Sequence, residues 1–217
     1  MERYQAARGA VAAGVATVAL TLWFASVEAV DCGNGPISGI SALSGFQMAK
    51  SQAMLDAAIG CTKRLAVLDS MNRVDLLAYI ASWGLMMALG AMALASGRLK
   101  RVALLCIGLA VVADIVETAT QLWIGTTWPF VSQTMLVALA VGSTVKWAGI
   151  AGGLGAIGAS AARDGRRTTR WLGVAVAIFG LLGLTVLVAP QGSTPPFTAI
   201  AFLLLIAACA AKTVRRA

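Results

Sequence analysis

Long continuous apolar runs constrain this chain more than any other feature. They occupy 10–27, 76–95, 102–124, 131–162, 171–189 and 197–211. Most reach the roughly 20 residues that a helix needs to cross the hydrocarbon core, and the last is short but extendable. Backbone amides inside a bilayer must be satisfied within the segment, so continuous runs of this kind read as helices. The expected fold is all-α: an integral membrane bundle of six transmembrane helices in a single domain over 1–217. A long extracytoplasmic loop, 28–75, is expected after the first helix. Composition agrees, because 59% of the 217 residues are hydrophobic and only 12% are charged, against about 25% charged in soluble domains.

The net charge of +8 would suggest nucleic acid in a soluble protein. Here the basic residues cluster at the ends of apolar runs, where they set topology and meet anionic lipid. Two lie before the first run (Arg3, Arg8), three in the second connection, four at 163–170 and three after the last run (Lys212, Arg215, Arg216). The two short opposite connections, one of them the turn at 190–196, have none. This pattern places both termini in the cytosol of a cell-membrane protein, with 28–75 on the other side. Val27, Glu28 and Ala29 imitate a signal-peptide cleavage site, but the membranous remainder favours an uncleaved first helix. Within 28–75, apolar residues recur near helical spacing, suggesting one or two amphipathic helices over the bundle. Cys32 and Cys61 form a disulfide if this loop is outside the cytosol, tying down a lid; otherwise they are two unrelated buried thiols.

Within the third run, the stretch VVADIVETATQLW (111–123) holds Asp114, Glu117, Thr118 and Gln121. Residues at i, i+3, i+4 and i+7 share one helical face, so these four side chains form a stripe. A charged carboxyl at the bilayer centre costs at least ~2.5 kcal/mol, so the stripe reads as a functional site. Lys146 and Trp147 fall at similar depth in the fourth run. Asp75, Tyr79 and Trp83 share a face at the start of the second, where Asp75 either caps the helix at the rim or joins the site. Two carboxyls three residues apart cannot both stay charged cheaply in low dielectric. The economical state pairs Asp114 with Lys146 and leaves Glu117 as a neutral proton carrier. The bland alternative is a Lys–Asp bridge that only registers two helices. Gly149 and Gly153 form a small-xxx-small pair for close helix contact.

The chain has no histidine, no glycine-rich phosphate loop and no Cys-x-x-Cys pair, so no metal and no cofactor are expected. Chemistry falls to carboxyls, hydroxyls, Lys146 and aromatic faces. Glu117, Asp114 and Asp75 are the candidate catalytic acids. Tyr79, Trp83, Gln121, Thr118, Lys146 and Trp147 are candidates to line a substrate cavity among the second, third and fourth spans. Aromatic faces beside a neutral acid suit protonation of an apolar substrate, with the resulting cation held by cation–π attraction.

The Asp-x-x-Glu pair Asp114/Glu117, with Asp75 opening the second span and Lys146-Trp147 in the fourth, resembles small bacterial multispanning proteins of mostly undefined activity. It is similar also to actinomycete membrane-bound terpene cyclases that close indole-linked farnesyl chains. That resemblance implies metal-independent, proton-initiated cyclisation of a prenylated or other isoprenoid substrate, classed as an isomerase or lyase of isoprenoid biosynthesis. The expected partners are the lipid bilayer and this hydrophobic small molecule, not nucleic acid. The alternatives are a proton-coupled small transporter and a non-catalytic partner subunit using the glycine-rich fourth span.

Overall fold

The computed structural model describes residues 3–33, 35–164, 166–188 and 196–214. Most of the expected turn at 190–196 lies outside these residues, as do Arg215 and Arg216. Helix α1 (Arg3–Ser26) leads into a two-stranded antiparallel ribbon, β1 (Val30–Asp31) and β2 (Pro36–Ile37), with Val30 opposite Ile37. Helices α2 (Gly39–Gln47), α3 (Gln52–Ile59) and α4 (Thr62–Val74) follow. A π-helical turn, Asp75–Tyr79, joins α4 to α5 (Ile80–Leu94). The long helices α6 (Gly97–Thr127) and α7 (Gln133–Asp164) come next. Helix α8 (Arg167–Leu182) runs into a 3-10 turn, Gly183–Leu187, and α9 (Phe197–Thr213) ends the described chain. The fold is predominantly helical. Five helical stretches are long and apolar enough to cross a membrane: Arg3–Ser26, Thr62–Leu94, Gly97–Thr127, Gln133–Arg163 and Arg167–Leu187. This is the architecture of a multi-pass membrane protein, and α9 is a shorter apolar helix beside them.

The stretch 28–75, expected to carry one or two amphipathic helices over the bundle, forms a cap of three, α2 to α4. Ser38 and Ser51 start α2 and α3 by accepting from the amides of Ser41 and Met54, which satisfies one orphan donor of each first turn. Gly60, at φ 68°, ends α3 in a conformation that other residues rarely adopt. The second span does not begin after Asp75, because no glycine or proline interrupts 62–83 and α4 continues through the π turn into α5. Asp75 is therefore not a helix cap at the rim but a buried residue within a continuous helix. Its carbonyl accepts from the Ile80 amide, the wide i to i+5 bond of a π turn.

Two apolar cores result. One fills the bundle, around Trp83, Met86, Met87, Leu154, Ile157 and Leu205. The other lies under the cap, where Phe46, Leu55, Ile59 and Leu68 meet Ile124 and Leu139. Within the cap, Cys32 and Cys61 are disulfide-bonded across 29 residues and buried Arg64 donates to the Val30 carbonyl at 2.7 Å. Two contacts tie the cap to the bundle: Ser143 on α7 donates to the Gln47 carbonyl at 2.6 Å, and the Trp128 indole donates to Asp56 of α3 at 2.9 Å.

Helices α6 and α7 make the most extensive pairing in the bundle. The expected glycine pair contributes: a Cβ on Gly149 would lie 2.7 Å from the Cys106 carbonyl oxygen, and one on Gly153 would lie 3.0 Å from Ile107. Gly149→Leu should therefore destabilise the bundle by about 1–3 kcal/mol, the usual cost of overpacking. Gly155→Ala, whose new Cβ meets nothing nearer than 3.6 Å, should not. Thermal unfolding of both variants in detergent checks this contrast.

Candidate functional site

The close approach of α6 and α7 creates the polar centre. A Cβ on Gly142 would stand 3.1 Å from the Glu117 Cβ, so the absent side chain lets the helices meet there. One turn further along α7, Lys146 reaches both acids. Its Nζ lies 2.7 Å from Glu117 Oε2 and 3.0 Å from Asp114 Oδ1. The expected division, Asp114 paired and Glu117 unpaired, is thus corrected. The acids are separated by one helical turn and the ammonium sits between them.

Each remaining carboxylate oxygen of this pair meets a donor. The Trp83 indole donates to Asp114 Oδ2 at 3.2 Å, and Gln121 Nε2 donates to Glu117 Oε1 at 3.1 Å. The third acid, Asp75, accepts from the Thr118 hydroxyl at 2.8 Å. Among the described residues, no cation lies within ion-pair distance of Asp75. All three acids and Lys146 are buried. The four-residue stripe on α6 therefore serves two groups: Asp114 and Glu117 engage Lys146, with Trp83 and Gln121 donating to them, whereas Thr118 engages Asp75.

A cavity of about 490 Å³ adjoins this network, within the usual range for small-molecule sites. Asp75, Asp114, Tyr79, Trp83, Lys146 and Trp147 line it; Glu117, Thr118 and Gln121 do not. Those three stand behind the wall, so they hold the site rather than touch what enters it. The cavity also extends beyond the second, third and fourth spans. Thr21 and Phe24 of α1, Gln47 of α2 and Phe202 of α9 contribute to its surface. Thr17 and Thr21 had a legible signal, two hydroxyls four residues apart in an apolar run. The contributions of α2 and α9 include polar residues, Ser44, Gln47 and Thr198, but nothing in their spacing ties them to the stripe on α6.

Aromatic faces dominate one side. Phe24 and Tyr79 meet edge to face at 5.3 Å between centroids, and the Tyr79 hydroxyl lies 3.4 Å from Thr21 Oγ1. Lys146 Nζ sits 5.4 Å from the centre of the Trp147 ring, within cation–π reach. The Trp147 indole nitrogen is buried without a protein partner. Leu22 and Leu203 line the cavity and are also 65% and 54% exposed. The cavity therefore reaches the apolar outer surface between α1 and α9. Among the described residues, no cluster of three or more His, Cys, Asp or Glu side chains is arranged to hold a metal ion.

Comparison with protein-family models, with curated proteins and with solved structures finds no match in any of the three.

Removing Lys146 would leave two facing carboxyls without their cation. Lys146→Met should destabilise the fold by about 3–5 kcal/mol, the cost of breaking a buried pair from one side. Lys146→Met combined with Glu117→Gln should recover most of that loss, and a double-mutant cycle in thermal or denaturant unfolding measures the coupling.

Proposed function

We propose that this protein is a membrane enzyme acting on an isoprenoid or similarly apolar substrate by carboxylic-acid proton donation, most specifically a metal-independent terpene cyclase. One observation carries the reading: two buried acids, Asp75 and Asp114, line an apolar, aromatic-walled cavity that opens towards lipid. Six spans are taken to cross the bilayer, with α9 as a short sixth. The distribution of Lys and Arg supports cytosolic termini and an extracytoplasmic cap. The Cys32–Cys61 disulfide supports an oxidising compartment for that cap.

In this reading Asp75 is the donor. A buried carboxyl with no cation beside it is cheapest as the neutral acid, and the other two acids share Lys146. Asp75 gives its proton to a substrate alkene carbon, leaving a carbocation on the neighbouring carbon. A second alkene or aromatic ring closes onto that centre, forming a carbon–carbon bond. Loss of a proton from an adjacent carbon, to Asp75 or to the Asp114 carboxylate, ends the sequence. The product is an isomer of the substrate. Trp83, Trp147 and Tyr79 shelter the cation through their ring faces. The Thr118 hydroxyl stabilises the carboxylate that Asp75 leaves, which is the role of a preorganised donor.

Proton-coupled transport would use the same acids but needs a second opening at the far end of the bundle. Met86, Met87, Leu154, Ile157 and Leu205 are fully buried in the core there, which favours catalysis over passage.

Membranes carrying the protein, incubated with a farnesylated indole in heavy water, should give an isomer that has gained a single deuterium. Asp75→Asn should lower turnover by about 10²-fold or more, the usual share of a general acid. Full turnover in that variant, or cyclisation without deuterium uptake, contradicts the proposal.

A further inference from the structure

Outside the cavity, the interface of α4 with α6 holds buried polar side chains that the proposed reaction does not use. Asn72 is fully buried, and neither its carbonyl oxygen nor its amide nitrogen has a hydrogen-bond partner. Gln121 spends its amide on Glu117, while its own Oε1 is buried and unpartnered. Asp69 Oδ1, nearer the cap, is likewise without a partner. Buried amides and carboxyls nearly always find partners in protein or water, and here the unpartnered atoms of α4 and α6 lie on facing elements and form a polar seam.

Two contacts fix the register of that seam. A Cβ on Gly125 would lie 2.5 Å from Asp69 Oδ1, so the carboxyl rests against α6 at that glycine. Two turns deeper, Thr118 donates to Asp75. The helices run antiparallel between these anchors, and Asn72, midway from Asp69 to Asp75, faces the level of Gln121. The order inward is Asp69, Asn72 with Gln121, then Glu117. Gly125 and Glu117 are eight residues apart, or about 12 Å along the helix. No single hydrogen bond spans that length, so a proton crosses it only by way of bridging waters of the kind that buried polar groups hold. Asp69 is only half-buried whereas Asn72 is fully buried, so Asp69 is the outer end of the seam.

We propose that Asp69, Asn72 and Gln121 form a proton path between the cap side of the molecule and Glu117, which exchanges protons through Lys146 with Asp114. In the direction that a drop in pH drives, Asp69 takes a proton from bulk water. Water held by Asn72 and Gln121 passes it to Glu117. Lys146 then gives one ammonium proton to Asp114 and takes the proton of Glu117. Asp114 gains one proton, and every other group returns to its starting form. This assigns Glu117 a relay role that its place behind the cavity wall allows. Run outwards, the path returns Asp114 to its carboxylate after it has taken the proton that ends the proposed reaction; it rests on that reading for its purpose, but its test needs no substrate.

The protein is reconstituted in nanodiscs, and the carboxyl band in the infrared is followed after a rapid drop in pH. Loss of the band in Asp114→Asn, with its amplitude kept but its rise slowed in Glu117→Gln, assigns it to Asp114 at the end of the path. Asn72→Leu and Gln121→Leu should slow protonation by about tenfold or more with the final amplitude retained, and Asn72→Ser should keep the unmodified rate. If the leucine variants do not fold, Asp69→Asn at the half-buried mouth serves instead and should also slow the rate. Unchanged rates in the leucine variants, or in Asp69→Asn where those do not fold, overturn the path and leave acid catalysis standing. Slowed rates without any cyclase turnover support the path and remove the catalytic reading.

Discussion

One ammonium group, Lys146, stands between two carboxyls on adjacent turns of a neighbouring helix, and much of the molecule is arranged to make that contact. A buried ion pair is stable only when its geometry is good and its remaining atoms are satisfied. Here Gly142 brings α7 close to Glu117, and Lys146 is held 2.7 and 3.0 Å from its partners. Trp83 and Gln121 supply the outer hydrogen bonds from either side. The glycine contacts along α6 and α7 are thus a condition of the site as well as of the bundle.

The cavity lies where the two apolar cores meet, with Tyr79 packed against both. The bundle core closes its deep end, and the cap closes its top through α2. The π turn at Asp75–Tyr79 sits at this junction and sets Asp75, Tyr79 and Trp83 on the cavity wall. Such turns often mark functional positions in helices. The cap is joined to the bundle by the α4–α5 helix and by Ser143 and Trp128, which makes it a fixed roof rather than a loose lid. The open side is the apolar gap near Leu22 and Leu203.

The helical class and the polar stripe on α6 were legible because charge is costly in hydrocarbon, so Asp114 and Glu117 stood out from their surroundings. The disulfide followed from compartment logic. Partner choice was not legible. Whether Lys146 meets one acid or two depends on an interhelical distance that Gly142 controls, and a helix read alone does not report its neighbour. Asp75 read either as a cap, because acids favour helix starts, or as part of the site with Tyr79 and Trp83; the cap reading fails because α4 continues through it without a break. Asn72 lay in a stretch expected to be a rim, so its burial showed only once α4 was seen to pack on α6. Most of what α2 and α9 bring to the cavity is apolar, and apolar residues look alike whether they face a ligand, a neighbour or lipid; Ser44, Gln47 and Thr198 lay too far along the chain from the stripe to be joined to it.

The account turns on Asp75 being a neutral acid at a cavity that apolar molecules reach from the bilayer. Dicyclohexylcarbodiimide, an apolar reagent that attacks protonated carboxyls, reads both properties at once when its site of attachment is mapped by mass spectrometry. The account predicts attachment at Asp75, reduced by an excess of a farnesylated indole, with Glu117 spared behind the cavity wall. Attachment at Glu117 with Asp75 untouched would contradict it.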